Sequence, residues 1–196
     1  MSYKRIAAVA SVALLAACGS DTLTDVITAS GSLSFNYTGG GGGSYSATGA
    51  ITSAALASTP YATTWAMGFK DATDNSTNVA ANVPKTGTTS DVAVISVKGQ
   101  ATGTFSIDVN CITTSTSTCN DVLFLIGQNS TGPTFSNICS LITGSITISA
   151  LSSTNATGTF SGSGTCVTAD GTTTAWVVTN GSFNVPLLAN VPSNIP

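Results

Sequence analysis

The chain contains no histidine and no glutamate, and its only arginine is Arg5. Without histidine, neither a Ser-His-Asp nor a Cys-His nucleophilic site can be assembled, and a zinc hydrolase centre lacks its usual ligands. A Ser-Lys pair fails on spacing, because Met67, Asn82 and Ile95 stand three residues before Lys70, Lys85 and Lys98, where a Ser-x-x-Lys motif needs serine. Glycoside hydrolysis needs only two carboxyl groups, and Asp71, Asp74, Asp108 and Asp121 are available. Asp108 falls on the outward side of an alternating stretch, however, and the other three border loops, so all four read as solvated surface. The composition points away from an enzyme and calls for no cofactor.

Charge is scarce as well. Only 7% of residues are charged, and beyond residue 18 the cations are Lys70, Lys85 and Lys98 against eight aspartates. A nucleic-acid binder neutralises phosphates with clustered Lys and Arg, and no such cluster exists here, so nucleic acid is excluded as a partner. Low charge does not mean disorder, because 42% of the residues are hydrophobic. The remaining polarity is Ser, Thr, Asn and Gly, a composition that favours an exported β protein.

What is present begins with "MSYKRIAAVASVALLAACGSD". Lys4 and Arg5 precede an uncharged run from Ile6 to Ala17, which is the order of a secretory signal and too short to span a bilayer, which takes about 20 apolar residues. Leu15-Ala16-Ala17-Cys18 resembles the lipobox of bacterial lipoproteins. The resemblance implies cleavage before Cys18 and a diacylglycerol, usually with a further acyl chain such as palmitate, on that residue. At about 0.8 kcal/mol per buried methylene, two or three chains make a permanent anchor. The expected organisation is a signal peptide at 1–17 with a short signal helix, a lipidated tether at 18–30, one β domain at 31–187 and an extended tail at 188–196. Residue 19 is Gly, not the Asp that commonly retains such proteins in the inner membrane. The resemblance therefore implies the outer membrane, with the domain facing either the periplasm or the outside.

Four cysteines remain: Cys111, Cys119, Cys139 and Cys166. An even number in an exported chain reads as disulfides, and the lack of His and of Cys-x-x-Cys spacing argues against zinc. "ITTSTST" between Cys111 and Cys119 is short enough for a hairpin to bring them together, which favours Cys111–Cys119 with Cys139–Cys166. The rival pairing is Cys111–Cys166 with Cys119–Cys139.

Beyond the tether the chain alternates rather than following a helical period. Leu33, Phe35 and Tyr37 alternate with polar residues until five glycines, 39–43, stop the run. Trp65, Met67 and Phe69 do so before "KDATDNSTN", which reads as a polar loop. Val92–Lys98 reads as a buried strand, Phe105, Ile107, Val109 and Cys111 as a core-facing series, "VLFLIG" as a central strand, and Ile146 and Ile148 as a further core series. Asn180-Gly181 in "TAWVVTNGSFNVPL" supplies the two residues of a type I′ hairpin turn, which predicts Val178 opposite Phe183 and Trp176 opposite Val185, all four on one face. Trp176 is then core, not a sugar-stacking platform.

"ATGTFSIDVNCI" at 101–112 matches "ATGTFSGSGTCV" at 156–167. Each copy is followed by a polar loop and an apolar strand, so each unit reads as a hairpin unable to bury its apolar face alone. Stacked hairpins predict an all-β, antiparallel β-sandwich or jelly-roll-like domain. The stretch from about 140 to 187, with its Gly-Thr-Phe strand and Asn-Gly motif, resembles β-rich bacterial lipoproteins of unknown function; the resemblance implies a fold and an anchored context, with no activity.

"DATDNSTN" at 71–78 offers oxygen ligands, but it lacks the spacing and glycine of an EF-hand loop, and turn chemistry explains it as well. Two function classes remain. One is a non-catalytic, lipid-anchored envelope lipoprotein with a structural or interaction role, its partners the membrane through the anchor and an envelope protein. The other is a surface module that binds a glycan or small ligand through Tyr37, Tyr45, Tyr61 and Trp65. An exposed row of these rings favours binding; buried rings favour the interaction module.

Overall fold

The computed structural model describes residues 29–52, 61–72, 74–107, 119–129 and 134–188. The expected signal helix, lipobox and most of the tether, together with Asp108, Val109, Cys111 and the tail from 189, lie outside the described residues. The fold is all-β. Its ten strands are β1 (Gly31–Thr38), β2 (Gly43–Gly49), β3 (Trp65–Asp71), β4 (Ser76–Pro84), β5 (Thr89–Lys98), β6 (Gly103–Ser106), β7 (Asp121–Asn129), β8 (Asn137–Leu151), β9 (Asn155–Thr168) and β10 (Thr173–Leu188).

Pairing arranges them as two layers, consistent with a β-sandwich. One layer runs β2-β1-β10-β9-β8-β6 and the other β3-β4-β5-β7. The two long strands β8 and β10 join the layers: Leu123–Ile126 of β7 pair antiparallel with Asn137–Ser140 of β8, and Leu187 and Leu188 of β10 pair parallel with Gly68 and Phe69 of β3. That short parallel contact is the one departure from the expected antiparallel pairing among the described strands. One core fills the space between the layers, drawing Leu33 and Phe35 from β1, Val79 from β4, Ile95 from β5, Phe124 from β7, Ile146 from β8, Phe160 from β9 and Trp176 and Phe183 from β10. At about 25 cal/mol per Å² of apolar surface removed from water, this shared core is the main stabilising term.

The four-stranded layer is apolar on both faces. Its inner face carries Ala66, Val79, Ala81, Ala93 and Ile95, and Trp65, Met67 and Ala80 pack with Ile51 in a second cluster. The segment at 61–64 is tied to this layer by hydrogen bonds from Asn82 Nδ2 to the Thr63 carbonyl (2.8 Å) and from Gln128 Nε2 to the Tyr61 hydroxyl (2.5 Å).

Asn180-Gly181 is not a hairpin turn. β10 continues through it, and its pairing with β9 jumps from Val178↔Gly162 to Gly181↔Phe160, so one extra residue is accommodated as a bulge. A type I′ turn needs positive φ at both central residues. Asn180 has φ 54°, whereas Gly181 is not among the positive-φ residues. A single bulge residue reverses the alternation just as the turn would. Trp176, Val178, Phe183 and Val185 are therefore all buried, as expected, but along one strand.

The repeat also differs from two equivalent hairpins. The second copy forms the β9–β10 hairpin, but β6 pairs with β8, while β7 pairs with β5 and β8. "GTFS" occurs in both β6 and β9, and the two copies flank the same four residues of β8. Gly103 and Gly158 both face Ile148, Thr104 and Thr159 face Thr147, Phe105 and Phe160 face Ile146, and Ser106 and Ser161 face Ser145. β7 occupies only residues 137–140 on that side of β8, which leaves the edge at 145–148 for β6.

"KDATDNSTN" is mostly strand. β4 starts at Ser76, leaving a tight turn in which Asp74 N donates to Asp71 Oδ1 (3.3 Å) and Asn75 has φ 50°. One Asp71 oxygen is thus engaged in turn formation. Thr77, expected in a loop, is buried and donates to the Gly99 carbonyl (2.9 Å).

Candidate functional site

The six strands β1, β2, β6, β8, β9 and β10 contain no charged residue. Strand alternation sends most of their large apolar side chains inward and their Ser, Thr and Asn side chains to the opposite face, where Val177 is also exposed. The registers then align these polar residues. Ser46 faces Ser34, Ser34 faces Ser182, Ser182 faces Thr159, Thr159 faces Thr147, and Thr147 faces Thr104. This row of six hydroxyls crosses every strand of the layer. Ser34 and Ser182 hydroxyls are 3.2 Å apart, and those of Thr104 and Thr147 3.0 Å, both within hydrogen-bonding distance.

A parallel row places Thr48, Ser32, Asn184 and Thr157 in register. In it Asn184 Oδ1 accepts from Thr157 Oγ1 (3.2 Å) and Asn155 Nδ2 (3.1 Å). On the other side, Ser161, Ser145 and Ser106 continue the pattern up to the bulge. There the surface dips into a shallow groove of about 280 Å³ between Ser145, Thr147, Thr159, Ser161 and Asn180. Every polar group on these walls is neutral and able both to donate and to accept.

An ion pair sits at the end of the sandwich where β4 turns into β5. Asp91, itself buried, pairs with Lys85 Nζ (3.0 Å), and its Oδ1 accepts from Gly127 N (3.0 Å). Tyr45 donates to the Asp91 carbonyl (3.4 Å). Burial, and secondarily the negative charge of Asp91, push the Tyr45 hydroxyl well above its ordinary value, and the same causes raise Tyr37. A raised tyrosine stabilises the fold at pH values below the unfolded-state value near 10, where both states are protonated; above it the unfolded chain ionises first and stability falls. The unfolding free energy from urea titration is therefore expected to decline above pH 10 by up to about 1.4 kcal/mol per pH unit from Tyr45 alone. Tyr45→Phe is expected to flatten this decline, and an equally steep variant would exclude Tyr45 as its source.

Cys139 and Cys166 stand directly opposite each other on β8 and β9 and form a disulfide, both fully buried. This is the expected pairing, and it excludes both bonds of the rival scheme. Cys119 is also disulfide-bonded; its expected partner Cys111 lies outside the described residues. Gly39–Gly42 form the β1–β2 connection, a tight turn closed by Gly42 N to the Gly39 carbonyl (3.0 Å), and Gly43 opens β2. Gly40 lies against the disulfide, and a Cβ there would come within 2.7 Å of Cys166 Sγ. With its φ of +61°, this position demands glycine on two grounds.

No family model, curated protein or solved structure matches this chain. Of the rings considered as a binding platform, Tyr45, Trp65 and Trp176 are buried, and Tyr37 and Tyr61 half-buried. Tyr37 packs edge-on to Phe124 at 5.3 Å, and Trp176 stacks on the same ring at 6.3 Å. The aromatic residues thus serve the core and its margins and form no exposed row. Asp121 accepts from Ser140 Oγ (3.3 Å), and no group of three His, Cys, Asp or Glu side chains placed to hold a metal ion occurs among the described residues. The hydroxyl row went unforeseen. Its members are visible in sequence as "SLS", "SYSAT", "TGTFS", "SITIS" and "GSFN", but their alignment depends on five separate strand registers.

Proposed function

We propose that this chain is a lipid-anchored bacterial envelope lipoprotein whose β domain is a non-catalytic interaction module. One observation about the domain carries the reading: the six-stranded face is largely polar, with Val177 exposed on it, and its strands contain no charged residue, while the rings that could have formed a stacking platform are drawn into the core or its margin. Such a face offers no nucleophile activated by a base and no carboxylate pair, but many hydrogen-bonding groups. The lipobox-like Leu15-Ala16-Ala17-Cys18 supports the anchor, and Gly19 supports the outer membrane. The domain then acts by holding something near the membrane. Metabolic labelling with a fatty-acid analogue tests the anchor: Cys18→Ser is expected to abolish labelling and to release the protein from the detergent phase. Equal labelling of the variant and the wild type would refute it.

A further inference from the structure

We propose that Cys166 is a site of thiol modification: when the glycine turn between β1 and β2 lifts, a small thiolate attacks Cys166 Sγ, forms a mixed disulfide there and releases Cys139. The inference is independent of the anchor and of the interaction-module reading, since it concerns a bond within the domain.

Four residues stand in one row across adjacent strands. Phe124 of β7 faces Cys139, Cys139 faces Cys166, and Cys166 faces Thr174 of β10. Residues directly opposite each other share a face of the sheet, so all four side chains point to the inner side. The two ends of the row differ: Phe124 is fully buried in the ring cluster, whereas Thr174 is exposed. A thiolate attacks a disulfide sulfur in line with the bond that breaks. Cys139 is therefore approached from the side of Phe124, and Cys166 from the side of Thr174. The first approach means displacing a core ring. The second is closed by glycine backbone: a Cβ on Gly40 would lie 2.7 Å from Cys166 Sγ and 3.2 Å from Cys139 Sγ, and one on Gly39 would meet the Ala175 carbonyl beside Thr174.

Lifting this cover is cheap compared with unfolding. Gly39–Gly42 have no side chains, so their displacement gives up no apolar burial of their own. The turn is closed by Gly42 N to the Gly39 carbonyl and held down where Asn137 Nδ2 donates to the Gly40 carbonyl (3.4 Å). Segments with few apolar contacts open locally at free energies below that of global unfolding. The exchange then balances as a displacement. The thiolate's sulfur bonds to Cys166 Sγ, the Cys139–Cys166 bond breaks, and its electron pair leaves on Cys139 Sγ, which takes a proton from water. A second thiolate, attacking the thiol-derived sulfur of the mixed disulfide, frees Cys166 and leaves the two reagent thiols oxidised to their own disulfide.

The test exposes the full-length protein in neutral detergent to 2-mercaptoethanol, quenches with acid, caps free thiols with N-ethylmaleimide and locates both groups by peptide mass spectrometry. The mercaptoethanol adduct is expected on Cys166 and the maleimide on Cys139, at least tenfold in excess of the reverse isomer. The rate should be nearly independent of urea below the unfolding transition, because a local opening exposes little surface, whereas exchange through global unfolding rises with the full equilibrium m-value. Asn137→Ala, which releases the turn, should speed the reaction at least threefold. Thr174→Phe, which places a ring on the approach to Cys166, should slow it at least threefold. If one variant loses its cooperative urea transition, the other carries the comparison, and the adduct position and urea dependence are read on the wild type alone. An adduct mainly on Cys139 or equally on both, a rate that follows global unfolding, no adduct on the native protein while the denatured protein reacts, or an unchanged rate in a folded variant would each overturn the assignment.

Discussion

Deletion of Asn180 is expected to leave the domain unfolded in the absence of denaturant at 25 °C. Asn180 is the extra residue of the bulge, and the two halves of β10 bury their apolar side chains on the same side only because it is there. Trp176 and Val178 precede it, Phe183, Val185 and Leu187 follow it, and all five belong to the core. With one residue fewer, the alternation runs unbroken, and one group must turn outward. Exposing Phe183, Val185 and Leu187 costs about 1.5–3 kcal/mol each, a sum comparable with a typical total stability of about 5–15 kcal/mol. Sliding the strand gives no relief, since β1 and β9 hold β10 on its two sides. Asn180→Gly keeps the residue count and tolerates the positive φ, so it should stay folded within about 1 kcal/mol of wild type. Far-UV circular dichroism with urea titration separates the two variants. A deletion variant with a wild-type urea midpoint would show that the bulge does not set the facing of β10.

The same residue shows how far the sequence can be read. Alternation of large apolar and small polar residues is local, and it identifies Leu33 and Phe35, Ile146 and Ile148, and Phe183 and Val185 as inward-facing without any partner. Asn before Gly is also a local signal, but it reports only that a left-handed residue is favoured at that place. Whether the chain then reverses or bulges is decided by what lies alongside, and both neighbours of β10 are in place here: Gly162 of β9 and Tyr37 of β1 both pair with Val178. The repeat poses the same difficulty at longer range. The shared "GTFS" is evident in the sequence, but two copies can stack as separate hairpins or flank a common strand. The uncovered half of β8 selects the second arrangement. The hydroxyl face is further still from local reading, because shifting one of its five registers by one residue would replace the row with apolar side chains.

Phe124→Ala is expected to destabilise the domain by about 4–5 kcal/mol, within reach of abolishing it. Phe124 is the aromatic residue by which the four-stranded layer enters the ring cluster of the six-stranded one. Its ring lies 5.1 Å from Phe35, 5.1 Å from Tyr45 and 5.3 Å from Tyr37, each edge-on, and 6.3 Å from Trp176, stacked. Truncation of a buried phenylalanine costs about 3–5 kcal/mol. The four ring contacts, each worth about 0.5–1.5 kcal/mol beyond area burial, put this site near the top of that range. Phe35, Tyr37 and Tyr45 are fixed by the β1–β2 hairpin and Trp176 by β10, so the cavity cannot close without separating paired strands. Phe124→Leu fills most of the volume and should cost about 1.5 kcal/mol. In a domain of this length, about 2–4 °C is lost per kcal/mol, so the alanine variant should melt at least 8 °C below wild type in differential scanning calorimetry. A loss below 3 °C would mean that the two layers are held together elsewhere, by the strand exchanges at β8 and β10 and not by the rings between them.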